Sequence, residues 1–270
     1  MVDACLWLNG ALVPASEARI DPMDRGLTLG DGLFETLRAR GGVPRHAALH
    51  LARLRKGAGV LGIDVQLDDA RIVAAFGDVL AANGLTEAVL RLTLTRGVGP
   101  RGIAPSSAAR PTLLITASPV AAMPERLSVV ISQSTRRNEF SPLSGVKSLN
   151  YLDNIIARRE AIARAANDAI LLNTRGFVAE ACVANVFVFK NGGWLTPFVS
   201  DGALPGIFRG RLLARGVVAE GRITVEDLSA ADSVCLGNTL SLGAVVMLDG
   251  REMKSDPGAN AVLLGVLDEG

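Results

Sequence analysis

Lysine is scarce in this 270-residue chain. Of 28 basic residues only Lys56, Lys147, Lys190 and Lys254 are lysines; the rest are arginines. Tyrosine occurs once, at Tyr151, histidine twice and cysteine three times. Cys5, Cys182 and Cys235 are odd in number and far apart, with no Cys-x-x-Cys pair and no histidine cluster, so neither a disulfide framework nor a metal site is expected. That pattern fits a reduced, cytoplasmic compartment. Neither sign of charge is in excess: the formal net charge is +1, which gives no reason to expect a nucleic-acid groove or a lipid-binding face. No run of about 20 apolar residues occurs, so no membrane span is expected. The opening residues MVDACLWLNG lack the basic-then-apolar order of a signal peptide. A Walker-type Gly-x4-Gly-Lys is missing, and LGDGLF lacks the third glycine of a dinucleotide fingerprint.

What is present reads as a globular α+β protein. Nearly half of the residues are apolar, and the length allows two domains. CLWLNGALVP reads as two strands about an Asn-Gly turn, and GDGLFETLRARGGVPR as two more about Gly41 and Gly42. Leu49, Ala52, Leu54, Ala58 and Leu61 recur at helical spacing, and a second helix is expected over 68–83, stopped by Gly84. AVLRLTLTRG and RPTLLITASPV read as strands. The proline-bearing connector AAMPE separates an N-terminal domain, 1–117, from a C-terminal domain, 126–270, with 118–125 as linker. In the second half RLSVVISQSTRR reads as a strand, a helix is expected from just after Lys147 to about 166, and short strands follow from DAILL onward. GIFRGRLLARGVVAEG reads as a helix and DSVCLGNTLSLGAVVMLDG as two strands broken at 237–240. There is no regular strand–helix alternation of the kind that builds a doubly wound parallel sheet.

Several residues have the chemistry of a site. Lys147 stands before a helix, where the dipole disfavours a cation. An amine in such a place can lose its proton and attack a carbonyl, which a guanidinium cannot. Tyr151 follows four residues later, one turn along if the helix covers both. Glu180, in GFVAEACVANVFVF, shares a strand face with Val178 and Cys182 and needs a cationic partner if buried. Arg53 is a candidate anion clamp. LPGIFRG places a Pro-Gly turn before a helix whose first N–H groups can face an anion. Asn238 and Thr239 sit at the break between two strands.

The ordered segments DRGLTLGDGLFETLR, HLARLRKGA, KSLNYLDNIIARREA, GFVAEACVANVF, LPGIFRG and CLGNTLSLGAV resemble the class IV aminotransferases, the fold-type IV pyridoxal-phosphate enzymes, from about residue 6 to 250. The resemblance implies a two-domain α+β fold: a small domain, and a larger one with an antiparallel-rich, barrel-like sheet. It implies pyridoxal 5'-phosphate, held by Lys147 as a Schiff base, with Glu180 on the pyridine nitrogen and Tyr151 at the ring hydroxyl, one residue nearer the lysine than in many members. Arg53, the helix-start amides of Ile207 and Phe208, and the loop of Asn238 and Thr239 would bind phosphate. Phe34, Thr36 and Arg101 would face the substrate. A homodimer is implied, with Arg101 serving the neighbouring site.

Within the family two reactions stay open. One moves the amino group of a small amino acid, of D-amino-acid or branched-chain type, to a 2-oxo acid. The other is the 4-amino-4-deoxychorismate lyase reaction, which forms 4-aminobenzoate and pyruvate. TRGVGPRGIAP resembles the D-amino-acid group at Arg101, but Ile103 stands where that group has histidine. Thr36, Phe208 and Asn238 look similar to the lyases, whereas KSLNYL resembles the transaminases at least as closely. A non-catalytic module that kept the fold would have lost the lysine or the glutamate, and both are present.

Overall fold

Asn9 and Gly10, both at positive φ (48° and 112°), turn the chain between β1 (Cys5–Leu8) and β2 (Ala11–Pro14). Gly41 and Gly42, at 57° and 76°, do the same between β3 (Gly32–Arg40) and β4 (Val43–Pro44). Two-residue hairpin turns need positive φ, which asparagine and glycine adopt at low cost. The computed structural model describes residues 4–105, 109–121 and 124–269; the expected linker therefore lies partly outside the described residues. The chain divides into two units, one formed by 1–121 with 146–150, the other by 122–145 with 151–270.

The first unit holds α1 (Arg25–Leu29), α2 (Ala47–Leu61) and α3 (Asp69–Ala82), with β5 (Ala88–Thr95) and β6 (Thr112–Pro119). Its sheet runs β2-β1-β6-β5-β3-β4 and every pairing is antiparallel. Period-two alternation puts Leu33, Leu37, Leu90, Leu92, Leu94 and Ile115 on one face. There they form a core with Leu51, Leu54 and Ala58 of α2 and Ile72, Phe76 and Val79 of α3. Gly62, at φ 64°, stops α2, and the Asp68 carboxylate accepts the Arg71 N–H to start α3.

Residues 146–150 lie with this unit rather than with the C-terminal residues among which the sequence reading put them. Phe34 N–H donates to Lys147 O at 3.0 Å and Leu149 N–H to Gly32 O at 2.9 Å, about an antiparallel bridge between Leu33 and Ser148. The physical reason is an open strand edge. β4 pairs only with Ala39 and Arg40, so the other end of β3 would show unpaired backbone groups without this segment.

The second unit carries β7 (Arg126–Ile131), α4 (Leu152–Ala163), β8 (Asp168–Leu172), β9 (Val178–Ala181), β10 (Asn185–Lys190), β11 (Gly193–Thr196), α5 (Ile207–Ala214), β12 (Val218–Glu220), α6 (Val225–Ser229), β13 (Ser233–Gly237), β14 (Leu242–Leu248), β15 (Arg251–Glu252) and α7 (Pro257–Asp268). The sheet order is β12-β11-β10-β13-β14-β7-β8-β9, with β15 beside β14. β7 runs parallel to β8 and β14, and β12 parallel to β11; the other pairings are antiparallel. β8, β9, β10 and β13 are buried along most of their length because both of their faces are covered. Ile170, Leu172, Val186 and Val188 join one cluster. Their alternates pack elsewhere: Ala169 and Leu171 against Ala157 and Ala161 of α4, and Phe187 against Phe208 and Leu212 of α5 and Leu263 of α7.

The α+β expectation is borne out, with two corrections in detail. The helix after Lys147 starts only at Leu152, because 147–149 are extended along β3. Lys147 and Tyr151 therefore do not share a helical face. The stretch 206–221 is not one helix: α5 ends at Ala214, Gly216 turns at φ 67°, and β12 adds to the edge of β11.

Candidate active site

β3 presents Phe34 and Thr36 on one face and Glu35 on the core face. Lys147, pinned by its carbonyl to Phe34 N–H, sends its Nζ over the Phe34 ring, 4.3 Å from the centroid. Arg91 lies over the same ring at 3.9 Å. Lysine backbone, aromatic platform and Thr36 thus belong to one short stretch of strand edge.

Glu35 is 1% exposed and sits between Leu33 and Leu37. Its Oε1 accepts Arg53 Nε–H at 2.8 Å; its Oε2 accepts Arg53 Nη2–H at 2.6 Å and lies 2.6 Å from His50 Nδ1. Burial raises the Glu35 pKa, but the Arg53 and His50 hydrogen bonds outweigh it and hold the carboxyl below its usual range. His50 is also held low, first by burial and then by the Arg53 and Lys147 charges, against the pull of Glu35. It is thus neutral near pH 7, with the proton on Nδ1 facing Glu35. Its buried Nε2 has no hydrogen-bond partner among the described residues, so a second proton would find no acceptor. Arg53 is accordingly not a solvated surface charge.

Arg101 is exposed, on a loop whose shape is set from below. The buried Arg25 guanidinium donates to Gly102 O at 2.9 Å and Ile103 O at 2.8 Å, and to Asp31 at 2.9 Å. Ile103 itself is 86% exposed.

In the second unit Glu180 lies on β9, where all four residues are buried. Its Oε1 is 3.1 Å from Arg137 Nε, and its Oε2 accepts the Leu204 N–H at 2.9 Å. The cationic partner required for a buried carboxylate is thus Arg137, which also donates to Ser144 O. The Leu204 bond ties Glu180 to the turn that starts α5. Gly206 is the N-cap there, and a Cβ on it would come within 2.0 Å of Asn185 Oδ1. Ile207 and Phe208 open the helix; Phe208 packs edge-on against Phe187 at 5.7 Å and lies under Gly237, where a Cβ would stand 2.8 Å from the ring. The turn 238–241 follows directly. Asn238 commits its side chain to that turn, accepting from Leu240 and Ser241 N–H and donating to Val183 O. Thr239 is the next residue. Glu180, the start of α5 and the 238–241 turn are therefore one linked assembly. Tyr151, the N-cap of α4, joins Asn154, Asp168, Cys182 and Asn238 in the wall of a cavity of about 370 Å³.

Arg137 and the Glu35–His50 pair were not read from the sequence. Glu35 left a signal: alternation places it with Leu33 and Leu37, on a face where a carboxylate is costly. Arg137 left none, since its neighbour Arg136 is chemically identical.

The family model for amino-transferase class IV matches residues 32–246. A protein of Methanocaldococcus jannaschii, provisionally named a branched-chain-amino-acid aminotransferase, is 35% identical over 91% of this chain and 88% of its own length. The D-alanine aminotransferase of Bacillus licheniformis is 29% identical over 92% of this chain and 89% of its own. Among solved structures, the 4-amino-4-deoxychorismate lyase of Pseudomonas aeruginosa is 32% identical, with a TM-score of 0.85 over 98% of both chains. The chain belongs to the class IV aminotransferases and is a pyridoxal-phosphate-dependent enzyme.

Proposed function

We propose that this enzyme transfers the amino group of a small amino acid, of branched-chain or D-amino-acid type, to a 2-oxo acid, and that the residues above do so in the following roles. The carrying observation is Lys147: its backbone is fixed to β3 and its amine lies over Phe34. The donor set fits the cofactor by chemistry: an amine for an aldehyde, an arginine fork and a helix N-terminus for a phosphate, a buried carboxylate for a protonated ring nitrogen. When bound, pyridoxal 5'-phosphate supplies the aldehyde that captures amines and a ring that draws off the electron pair left at the substrate Cα.

Arg53 binds the phosphate, with the Ile207 and Phe208 N–H groups and the Thr239 loop; Asn238 shapes that loop. Glu180 holds a proton on the ring nitrogen, and Tyr151 donates to the ring hydroxyl. Lys147 Nζ would hold the cofactor through its aldehyde carbon. Once a substrate amine takes its place there, the freed lysine amine would take the Cα proton as a general base and return it to the aldehyde-derived carbon as a general acid. Phe34 and Thr36 line the substrate side. Arg101 reaches the carboxylate in a neighbouring copy.

A homodimer is part of this reading. It is supported by α4, which leaves Leu152, Ile155, Ile156 and Ile162 between 43% and 73% exposed, a row of apolar side chains that a second copy would cover. No helix among the described residues is long and apolar enough to cross a membrane, and a cytoplasmic location is proposed.

The lyase reaction is the second reading, favoured by Thr36 beside Phe34 and by the likeness to the Pseudomonas lyase. A half-reaction screen separates the two. Amino transfer requires the visible band of the bound cofactor to convert on addition of D-alanine or L-leucine. Silence with both, together with release of pyruvate and 4-aminobenzoate from aminodeoxychorismate, decides for the lyase.

A further inference from the structure

We infer that Glu35 and His50 are positioning residues for Arg53, holding its guanidinium in the one plane from which it grips the cofactor phosphate. The inference rests on the reading of Arg53 as the phosphate clamp. Three donors converge on one carboxylate: Arg53 Nε–H at 2.8 Å on Oε1, and Arg53 Nη2–H and His50 Nδ1–H, both at 2.6 Å, on Oε2. A two-point contact fixes a planar fork in direction and twist. His50 fixes the carboxylate in turn, because it arrives from α2 one turn before Arg53 and holds the oxygen that the guanidinium shares.

Stability alone does not call for this arrangement. Glu35 occupies an inward position of a strand whose inward neighbours, Leu33 and Leu37, are core leucines. Replacing a buried ion pair by apolar side chains of similar volume is commonly neutral or stabilising. The use of the triad is therefore sought in what Arg53 does.

A carboxylate beside an anion site can act in two ways, with opposite signs. As a bare charge it repels phosphate, and its neutralisation would tighten cofactor binding. As a positioner it orients the fork, and its neutralisation would weaken binding. In Glu35→Gln the single amide oxygen cannot serve both sides, and the NH2 group faces an N–H of Arg53 or His50, so the fork loses its plane.

The test uses the full-length protein stripped of cofactor and titrated with pyridoxal 5'-phosphate and, separately, with pyridoxal, which lacks the phosphate. The expected result for Glu35→Gln is a loss of affinity for the phosphate form of about 10- to 100-fold, the size of one charge-assisted hydrogen bond, with pyridoxal affinity unchanged. His50→Asn, which keeps a donor toward Oε2, retains the wild-type ratio of the two affinities; His50→Leu, which does not, lowers it. This second pair carries the test if Glu35→Gln fails to fold by circular dichroism. An unchanged or raised ratio in folded Glu35→Gln, or equal ratios in the two His50 variants, overturns the inference. Arg53→Gln separates the two levels. If it too leaves the ratio unchanged, the phosphate-clamp reading itself fails; if it alone lowers the ratio, only the positioning role fails.

Discussion

Glu180→Gln is the substitution that most sharply separates a catalytic carboxylate from a structural one. The glutamine keeps the shape and can still accept the Leu204 N–H, now 2.9 Å from Oε2. It loses the charge that faces Arg137 Nε at 3.1 Å. Arg137 keeps its contact with Ser144 O at 3.0 Å, so the structural loss is that of one charge-assisted contact, about 1.5–3 kcal/mol. In a chain of this size that corresponds to roughly 2–4 °C of melting temperature per kcal/mol. The catalytic loss is separate. On the proposed role, a neutral amide would not hold a proton on the ring nitrogen, and removal of one preorganised electrostatic group of this kind costs about 10²–10³-fold in rate.

The assay is a single-turnover half-reaction with saturating amino donor, followed at the cofactor band, beside a thermal melt. Arg137→Met is the control: it disturbs the same ion pair but leaves the carboxylate charged. The expected order is a rate loss in Glu180→Gln well beyond that in Arg137→Met, at similar melting temperatures. If the two variants melt alike and Glu180→Gln turns over within about threefold of wild type, Glu180 is only the counter-ion of Arg137.

Lys147→Arg keeps a cation over Phe34 but cannot form an imine; borohydride should no longer fix cofactor to the chain, and turnover should fall by about 10³-fold or more. Glu160 gives an acid-stability signature. Burial pulls its pKa up, but N–H groups of Gln133 and Ser134 and the Ser132 and Ser134 hydroxyls draw it down from 4.5 to about 2. Its folded value is depressed, so its contribution is complete above pH 4.5 and is lost as pH falls toward 2. The shift corresponds to about 3 kcal/mol unscreened, and solvent near this loop reduces it to about 1–2 kcal/mol. Glu160→Gln should flatten the denaturant-measured stability curve across that window, and an unchanged slope refutes the assignment. Gly206→Ala pushes a Cβ to 2.0 Å from Asn185 Oδ1 and should cost about 1–3 kcal/mol while weakening cofactor affinity, because the start of α5 has to move. Wild-type affinity in a destabilised Gly206→Ala would remove that helix start from the phosphate site.

The strands and turns were legible wherever local chemistry determines them. Asn9-Gly10 and Gly41-Gly42 need positive φ, and both hairpins form there. Leu33, Leu37, Leu90 and Leu92 alternate along their strands, and they form the first core. Reading failed where a distant partner decides. The helix expected at Lys147 is good local helix sequence, but 147–149 complete the edge of β3, some 115 residues away in the chain. Residues 217–220 continue an apolar pattern, yet β11 recruits them as a parallel edge strand. Of the candidate site, the sequence offers single residues with rare chemistry. Their supports, Arg137 for Glu180 and Glu35 with His50 for Arg53, were not visible, because sequence spacing does not encode which carboxylate a guanidinium meets.

The scarcity of lysine now has a structural counterpart. Several of the arginines here tie down backbone carbonyls. Arg25 bonds Gly102 O and Ile103 O; Arg96 bonds Leu61 O and Gly62 O while also holding Asp31; Arg55 bonds Leu67 O, Arg136 bonds Ser132 O and Arg209 bonds Pro197 O. Each task needs several N–H groups in fixed directions, which a rotating ammonium supplies poorly. Lys190, half-buried, pairs with Asp227, the exposed Lys254 lies near Asp232, and Lys56 is exposed. Lys147, by contrast, has its amine over the Phe34 ring. In the role proposed for Lys147 the requirement runs the other way: the group would have to shed its proton and become a nucleophile, which a permanently charged guanidinium cannot do. The same chemical contrast therefore accounts for arginine at the ties and for lysine on the edge of β3.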